Sequence, residues 1–513
     1  MKRKHLFFFI GIYLILFFIL FPGFRYVIDP DATGYFSVAE QMAKGNLLNA
    51  VNGIWSPLGS WLLVPFLKLQ VDEILTAKYL NGFYGCLCLV AFFYLIIKFR
   101  LHFFIEAVVM ATAVLLILHF TFYRLFADLL VIVFLLTYLN IILADQFTEG
   151  NTYIVLAGIV AGIGFYAKYY TFYFALVHIP IAVYLAQRNN DLSVSWGALI
   201  KKSLWGIFSL CITVSFWLIA LHIKYGHFVL GQQNFTGSLS HAYNQPRVAF
   251  YPPPFDGAYS FFDDITYKKQ FAVTPFTNGN VFIAQLKLIG FNAIQTIRHL
   301  NDFSFLLIVT IVVSIFFYKI SVGQRKTRLL LGFIVTWPCG FLFFHAEPRY
   351  LWVIDLCALL LSGIVASTII NHFNYRKKFL YAFSIILIAQ FCIYPLTEIK
   401  GQYGSGKNLF SMADAMKRNN IKGNLLYSFQ TSDNFSESVI INFLSRNIQY
   451  GPFEPNCTSP EISAAVEQYH INYYLLYYNT PAEKDLLLRN ANVFNPAAIL
   501  SDIYPGIIVL KFN

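Results

Sequence analysis

The chain has 513 residues, of which 58% are hydrophobic and 12% charged, and its mean hydropathy is +0.59. Soluble domains carry roughly 25% charged residues, so a soluble globular protein is excluded as the main body. The formal net charge of +11 does not point to nucleic acid: fifteen Lys and Arg fall in connections on one side of alternating apolar runs, opposed there only by Asp145, Glu149 and Asp191. That asymmetry is the positive-inside signature of membrane topology, and no nucleic-acid partner is expected.

In chain order, Met1-Lys2-Arg3-Lys4-His5 precedes an apolar run over 6–24. The run is too long for a cleaved leader and no small-residue cleavage site follows, which predicts a retained signal anchor with its N-terminus inside. Directly after it comes Asp29-Pro30-Asp31. From Tyr35, the residues Val38, Ala39, Met42 and Ala43 recur at helical spacing, with Ser37, Glu40, Gln41 and Lys44 opposite and Gly45 as a stop. This predicts a short amphipathic helix lying on the bilayer surface, with Asp31 placed to cap it. Ser56-Pro57-Leu58 and the apolar stretch to Leu69 predict a second surface helix. Both helices belong to an outer segment over 25–73.

Further apolar runs lie near 74–97, 103–120, 124–144, 152–168, 170–187, 203–222, 303–320, 328–345, 349–370 and 378–396, giving about eleven spans with the first. A second outer segment, 224–302, contains Tyr251-Pro252-Pro253-Pro254-Phe255 and suits a substrate-covering loop or an unstructured connector; its Asp263-Asp264 reads as a solvated pair. From Thr397 the composition turns to Asn, Ser and charge. Strands are expected over 424–430, 473–479 and 507–512, alternating with helices near 407–420, 433–446, 459–470 and 481–490. The expected architecture is a polytopic α-helical membrane protein, 1–396, with a small extracytoplasmic α/β domain, 397–513. Six of the seven cysteines lie in apolar runs and Cys457 alone in the tail, so no disulfide framework is implied.

Charges at membrane depth or at its outer boundary are informative, because each costs roughly 2.5–3.5 kcal/mol at a helix centre. Arg124, Asp128, Lys168, Glu347 and Arg349 all fall on the outer side with Asp29 and Asp31. Plainer readings stand beside the functional one. Arg124 and Asp128 are spaced to pair on one helix. Lys168 with Tyr169 and Tyr170, and Arg349 with Tyr350, are spaced as interface anchors. The eleven histidines show no metal-ligand spacing, although Asp31 with His345 or Glu347 leaves a divalent metal open.

The pattern Asp31-x3-Tyr35-x3-Ala39-x2-Met42-x2-Gly45 after the first span resembles the first outer loop of the GT-C glycosyltransferases, closest to family 39, which includes protein O-mannosyltransferases and aminoarabinose transferases of lipid A. Ser56-Pro57-Leu58 is similar to that family's Pro-Pro-Leu stretch. Ala157-Gly158 to Ala167-Lys168 is similar to its Gly-rich helix, and Glu347-Pro348-Arg349-Tyr350 to its Glu-x-Arg-Tyr motif. The tail resembles the exported domain of many bacterial members.

The resemblance implies an inner-membrane enzyme taking a polyprenyl-phosphate-sugar donor, with an unidentified lipid, glycan or protein acceptor. It implies Asp31 as general base, with Asp29 as the fallback and Asp128 as an orienting carboxylate. Lys168, Arg349 and Arg124 would meet the donor phosphate, and Tyr35, Tyr350 and Glu347 the substrate. One base and one displacement imply inversion. The rival reading is a lipid or solute transporter or flippase, against which stand the outward placement of the charges and the lack of readable inverted repeats.

Overall fold

The structure, a computed structural model, describes the chain apart from residues 1–2, 189–194, 230–237, 240–251, 267–273, 322, 374–376, 429–431, 452–458 and 513. The bundle contains α1 (Arg3–Phe24), α2 (Pro30–Ala43), α3 (Leu47–Ala50), α4 (Pro57–Lys68), α5 (Glu73–Ile97), α6 (Phe103–Tyr123), α7 (Ala127–Ile142), α8 (Thr152–Ala167), α9 (Tyr170–Gln187) and α10 (Trp196–Tyr225). After the second long connection come α11 (Gly279–Phe303), α12 (Phe305–Phe317), α13 (Gln324–Cys339), α14 (Trp352–Phe373) and α15 (Lys377–Gln402). Each expected apolar run is helical. Among the described residues, eight helices are long and apolar enough to cross a membrane, or nine if α11 and α12, which meet at 111°, count as one span. The expected count of about eleven is not reached by length, because α7 and α8 are 16 residues each, short of the roughly 20 that a full crossing needs. Both are cut short at the same end, where Asp128 and Lys168 sit.

α8 owes its placement to its glycines. A side chain on Gly158 would meet Ser209 and the backbone of Gly206 on α10 at about 2 Å, and one on Gly162 would meet Thr213. Small residues let two helices in an apolar medium approach until backbones touch. The Gly-rich run therefore seats α8 against α10 and fixes where its last residue delivers Lys168.

α2 differs from the expected surface helix. Ala32 through Ala39 and Gln41 are buried, on both faces. One face rests on α4, where the Ser60 hydroxyl donates to the Tyr35 carbonyl at 2.8 Å. The polar face is covered by residues of the second long connection and the C-terminal unit: Ser37 donates to Asp263 Oδ2 (2.7 Å), and the Phe36 ring stacks on Phe443 (5.0 Å). Asp263 and Asp264 are correspondingly buried rather than solvated. Asp264 accepts from Lys224 (2.5 Å) and from the Tyr225 hydroxyl (2.9 Å) at the end of α10. Tyr251 of the Pro-rich stretch lies outside the described residues. α11 lies within the same connection and was not foreseen. Its polar Gln285, Asn292 and Thr296 are buried, while Phe282, Leu286, Phe291, Ile294 and Ile297 are exposed.

The C-terminal unit holds α16 (Lys407–Arg418), β1 (Asn424–Tyr427), α17 (Ser432–Ser445), β2 (Ile448–Gln449), α18 (Ser459–Gln468), β3 (Tyr473–Tyr477), α19 (Pro481–Ala491), β4 (Ala498–Tyr504) and β5 (Ile507–Lys511). The sheet order is β2-β1-β3-β5-β4, with β2, β1 and β3 parallel and β5 and β4 antiparallel. β1, β3 and β5 are buried nearly throughout, as strands covered on both faces must be, which is why their apolar runs stood out. β2 and β4 went unread: β2 is two residues long, and β4 is an edge strand interrupted by Ser501 and Asp502.

Candidate active site

Asp29 starts the construction. Pro30, with its fixed φ and missing N–H, is suited to the first helical position, which makes Asp29 the cap of α2 and leaves Asp31 in the first turn. Asp29 Oδ1 accepts from the Ala32 N–H (3.2 Å) and Oδ2 from the Leu125 N–H (3.1 Å), with Arg124 Nη1 4.0 Å away. Burial pushes the Asp29 carboxyl up, against the pull of Arg124. Arg124 thus turns to Asp29 and not to Asp128, as the helical spacing had suggested.

The α6–α7 turn that delivers Asp128 is unusual. Phe126 sits at φ +65° and ψ −105° just before α7, a region costly for a bulky residue by roughly 1–3 kcal/mol. Packing holds it there: its ring lies 5.3 Å from Tyr35 and 5.2 Å from Phe36. The Asn81 amide donates to the carbonyls of Thr121 and Arg124, 2.7 Å each. On the facing side, Ser56 Oγ accepts from the Tyr169 N–H (3.0 Å), and the Tyr169 hydroxyl, held by Trp217 Nε1 (2.7 Å), donates to the Asn52 carbonyl (2.5 Å). These bonds set the α8–α9 turn that carries Lys168.

The third element is the segment 340–350. Trp337 Nε1 donates to the Tyr350 carbonyl (2.7 Å), the Tyr170 hydroxyl donates to the Trp337 carbonyl (2.6 Å), and Tyr350 stacks on Phe341 (4.7 Å). Arg349 is thereby brought over Asp31 and Asp128.

One network results. Arg349 Nη1 lies 2.5 Å from Asp31 Oδ2 and 3.4 Å from Asp128 Oδ2, and its Nε lies 2.5 Å from Glu347 Oε2. The Lys168 ammonium pairs with Asp128 and sits 4.0 Å over the Tyr350 ring. Glu347 Oε1 is 3.2 Å from His345 Nε2. Burial works to raise the Glu347 carboxyl, but the His345 contact and the Arg349 charge outweigh it and hold it below the usual carboxylate range. The three Asp side chains differ in access: Asp31 is 25% exposed, Asp29 5% and Asp128 6%. Tyr35 is buried between Trp55 (5.2 Å) and Phe126, within electrostatic range of Asp128 and Asp31. The cation that Asp31 and Glu347 share in this structure is the Arg349 guanidinium. Among the described residues no group of three or more His, Cys, Asp or Glu side chains is arranged to hold a metal ion.

Residues that the sequence reading did not place at the site complete the frame. Arg446, at the end of α17, pairs with Glu40 on α2 (2.5 Å) and with Glu73 at the start of α5, and meets the Tyr259 hydroxyl. Asp263 holds Ser37 as described.

The fold is GT-C-like, shared with two solved proteins. The ArnT of Cupriavidus metallidurans bound to undecaprenyl phosphate is similar over 99% of this chain and 98% of its own, with a TM-score of 0.55 and 11% identity. Its apo form gives 0.52 and 12% over the same shares. The apo oligosaccharyltransferase of Archaeoglobus fulgidus gives a TM-score of 0.52 at 11% identity, over 93% of this chain and 69% of its own. No protein-family model and no curated protein matches the sequence.

Proposed function

We propose that this chain is a membrane glycosyltransferase that moves a sugar from a polyprenyl-phosphate-sugar donor to an acceptor at the outer membrane face, with inversion. The observation that carries the reading is the pairing of Asp31, the most accessible of the three Asp side chains, with Arg349 beside Lys168, in a fold similar to that of a protein bound to undecaprenyl phosphate. The acceptor's hydroxyl or amine attacks the anomeric carbon as its proton passes to Asp31. The bond from that carbon to the phosphate oxygen breaks, and its electron pair leaves with the lipid phosphate. A phosphate needs no general acid to depart. It needs nearby positive charge, which Lys168 and Arg349 supply in a low-dielectric setting.

Base and phosphate site are then one device. Arg349 exchanges Asp31 for the donor phosphate, so arrival of the donor frees the base. Asp128 holds Lys168 and Arg349 in place. Asp29, buried and committed as a helix cap, positions the α6–α7 turn and leaves proton transfer to Asp31; Arg124 backs Asp29. Tyr350, under Lys168, and Tyr35 and Glu347 beside the network line the substrate path. Residues 1–396 form the catalytic membrane domain with the N-terminus inside, and 397–513 the outer domain, in a bacterial inner membrane.

The test is turnover of a radiolabelled polyprenyl-phosphate-sugar panel by purified protein, wild type against Asp31→Asn. One donor is expected to be consumed, and the variant to bind it while turnover falls by about 10²–10⁴. Unchanged turnover removes Asp31 as the base. No donor bound or consumed, with a lipid or solute instead crossing vesicles, moves the chain to the transporters.

A further inference from the structure

At the end of the bundle opposite the ion-pair network, a cleft of about 610 Å³ opens between the ends of α5 and α7 and the start of α13, lined among others by Tyr94, Lys98, Arg100, Asn140, Asp145 and Lys326. Asn140 follows Asp128 by twelve residues on the same helix, so the cleft lies about 18 Å along the axis from the active site. Its size falls within the roughly 300–1,000 Å³ typical of ligand pockets.

The charge on its walls is unbalanced. Asp145, 71% exposed, is shared by Lys326 Nζ (3.0 Å) and Arg325 Nη1 (4.0 Å). The Lys326 ammonium also donates to the Lys98 carbonyl at 3.3 Å, drawing the two lysines together. Lys98 itself is half-buried and forms no ion pair within 4 Å among the described residues. Burial and the charge of Lys326 push its ammonium down against the pull of Asp145, so a second anion between the lysines would add to what Asp145 supplies. Topology alone asks for basic residues reaching water on this side. It does not ask two lysines to converge on a cavity that Ile97 and Ile141 also line.

We propose that this cleft binds a phosphate-bearing headgroup between Lys98 and Lys326. The source that fits the apolar wall is an anionic phospholipid of the adjoining leaflet; a free phosphate offers the same group without the chains.

The probe set is phosphatidylglycerol, phosphatidylethanolamine with the same acyl chains, and inorganic phosphate, each added to purified full-length protein in detergent and followed by native mass spectrometry. Phosphatidylglycerol is expected to be retained over phosphatidylethanolamine, and Lys98→Ala with Lys326→Ala to lower its retention by about tenfold or more, while the Lys98→Arg, Lys326→Arg pair keeps it. Phosphate that fails to displace the lipid assigns the cleft to phospholipid. Phosphate that displaces it, and binds with the same lysine dependence, assigns it to the free anion. Should the Ala pair not fold, Lys98→Gln alone is expected to weaken retention. Equal retention of the two lipids, or retention that no lysine substitution moves in folded protein, overturns the proposal.

Discussion

The two ends of the helical bundle use the same residue types in opposite ways. At one end Asp31, Asp128, Lys168, Glu347 and Arg349 are largely buried and share partners, so each charge is held by at least one other. At the other, Arg325 and Lys326 share the exposed Asp145, and among the described residues Lys98 has no ion pair within 4 Å. A buried network resists the loss of any member, because an orphaned charge cannot be rehydrated. Where one partner is 71% exposed, as Asp145 is, water replaces the lost pairing at lower cost.

That contrast can be broken at graded cost. Lys168→Met leaves Asp128 buried with only part of its compensation, and thermal unfolding in detergent should show a loss of about 3–5 kcal/mol. A melting temperature at the wild-type value would mean that water already reaches Asp128. Asp263 tests a different buried carboxylate. Burial pushes it up to about 7, so the folded protein keeps it neutral where the unfolded chain, titrating near 3.8, has ionised. The contribution of Asp263 to stability is therefore full below about pH 4 and declines as pH rises to about 7, by up to about 4 kcal/mol. Asp263→Asn should flatten that decline when unfolding is followed at pH 5 and pH 8; an identical slope in both proteins refutes the assignment.

Arg446→Ala removes the clamp between the C-terminal unit and α2, with an expected cost of about 1–3 kcal/mol. Hydrogen exchange should rise in 30–43 and 438–449 together. A rise confined to the tail would show that α2 stands without it. Asp145→Asn, at the opposite end, should change stability by less than about 0.5 kcal/mol, and a larger loss would mean that Asp145 is less free than its exposure indicates.

What the sequence disclosed follows from the medium. In a chain with so few charges, an Asp or Lys inside an apolar run is conspicuous, so Asp128, Lys168 and Arg349 could be picked out without coordinates. Arg446 and Asp263 lie in stretches where charge is ordinary, and nothing local separates a docking residue from a solvated one. The polar face of α2 misled for a related reason: Ser37 and Gln41 look solvent-facing until a partner for them is known. The cap could have been read correctly, since Pro30 at the first helical position marks Asp29 rather than Asp31. The C-terminal strands divided by burial, with covered strands legible and the edge strand β4 not.

α11 is built inside out relative to a helix of a soluble protein. Gln285 and Asn292 reach inward to grip the carbonyls of Phe343 and Leu342, each at 3.0 Å, and the apolar side chains face away from the protein. Those carbonyls lie only a few residues before Arg349. The cation that neutralises Asp31 is thus suspended from a beam whose other surface is wetted by whatever surrounds the protein. Acyl-chain length and detergent choice become experimental variables for the charge network itself, and a kinetic comparison between micelles and bilayers reads the stiffness of that suspension.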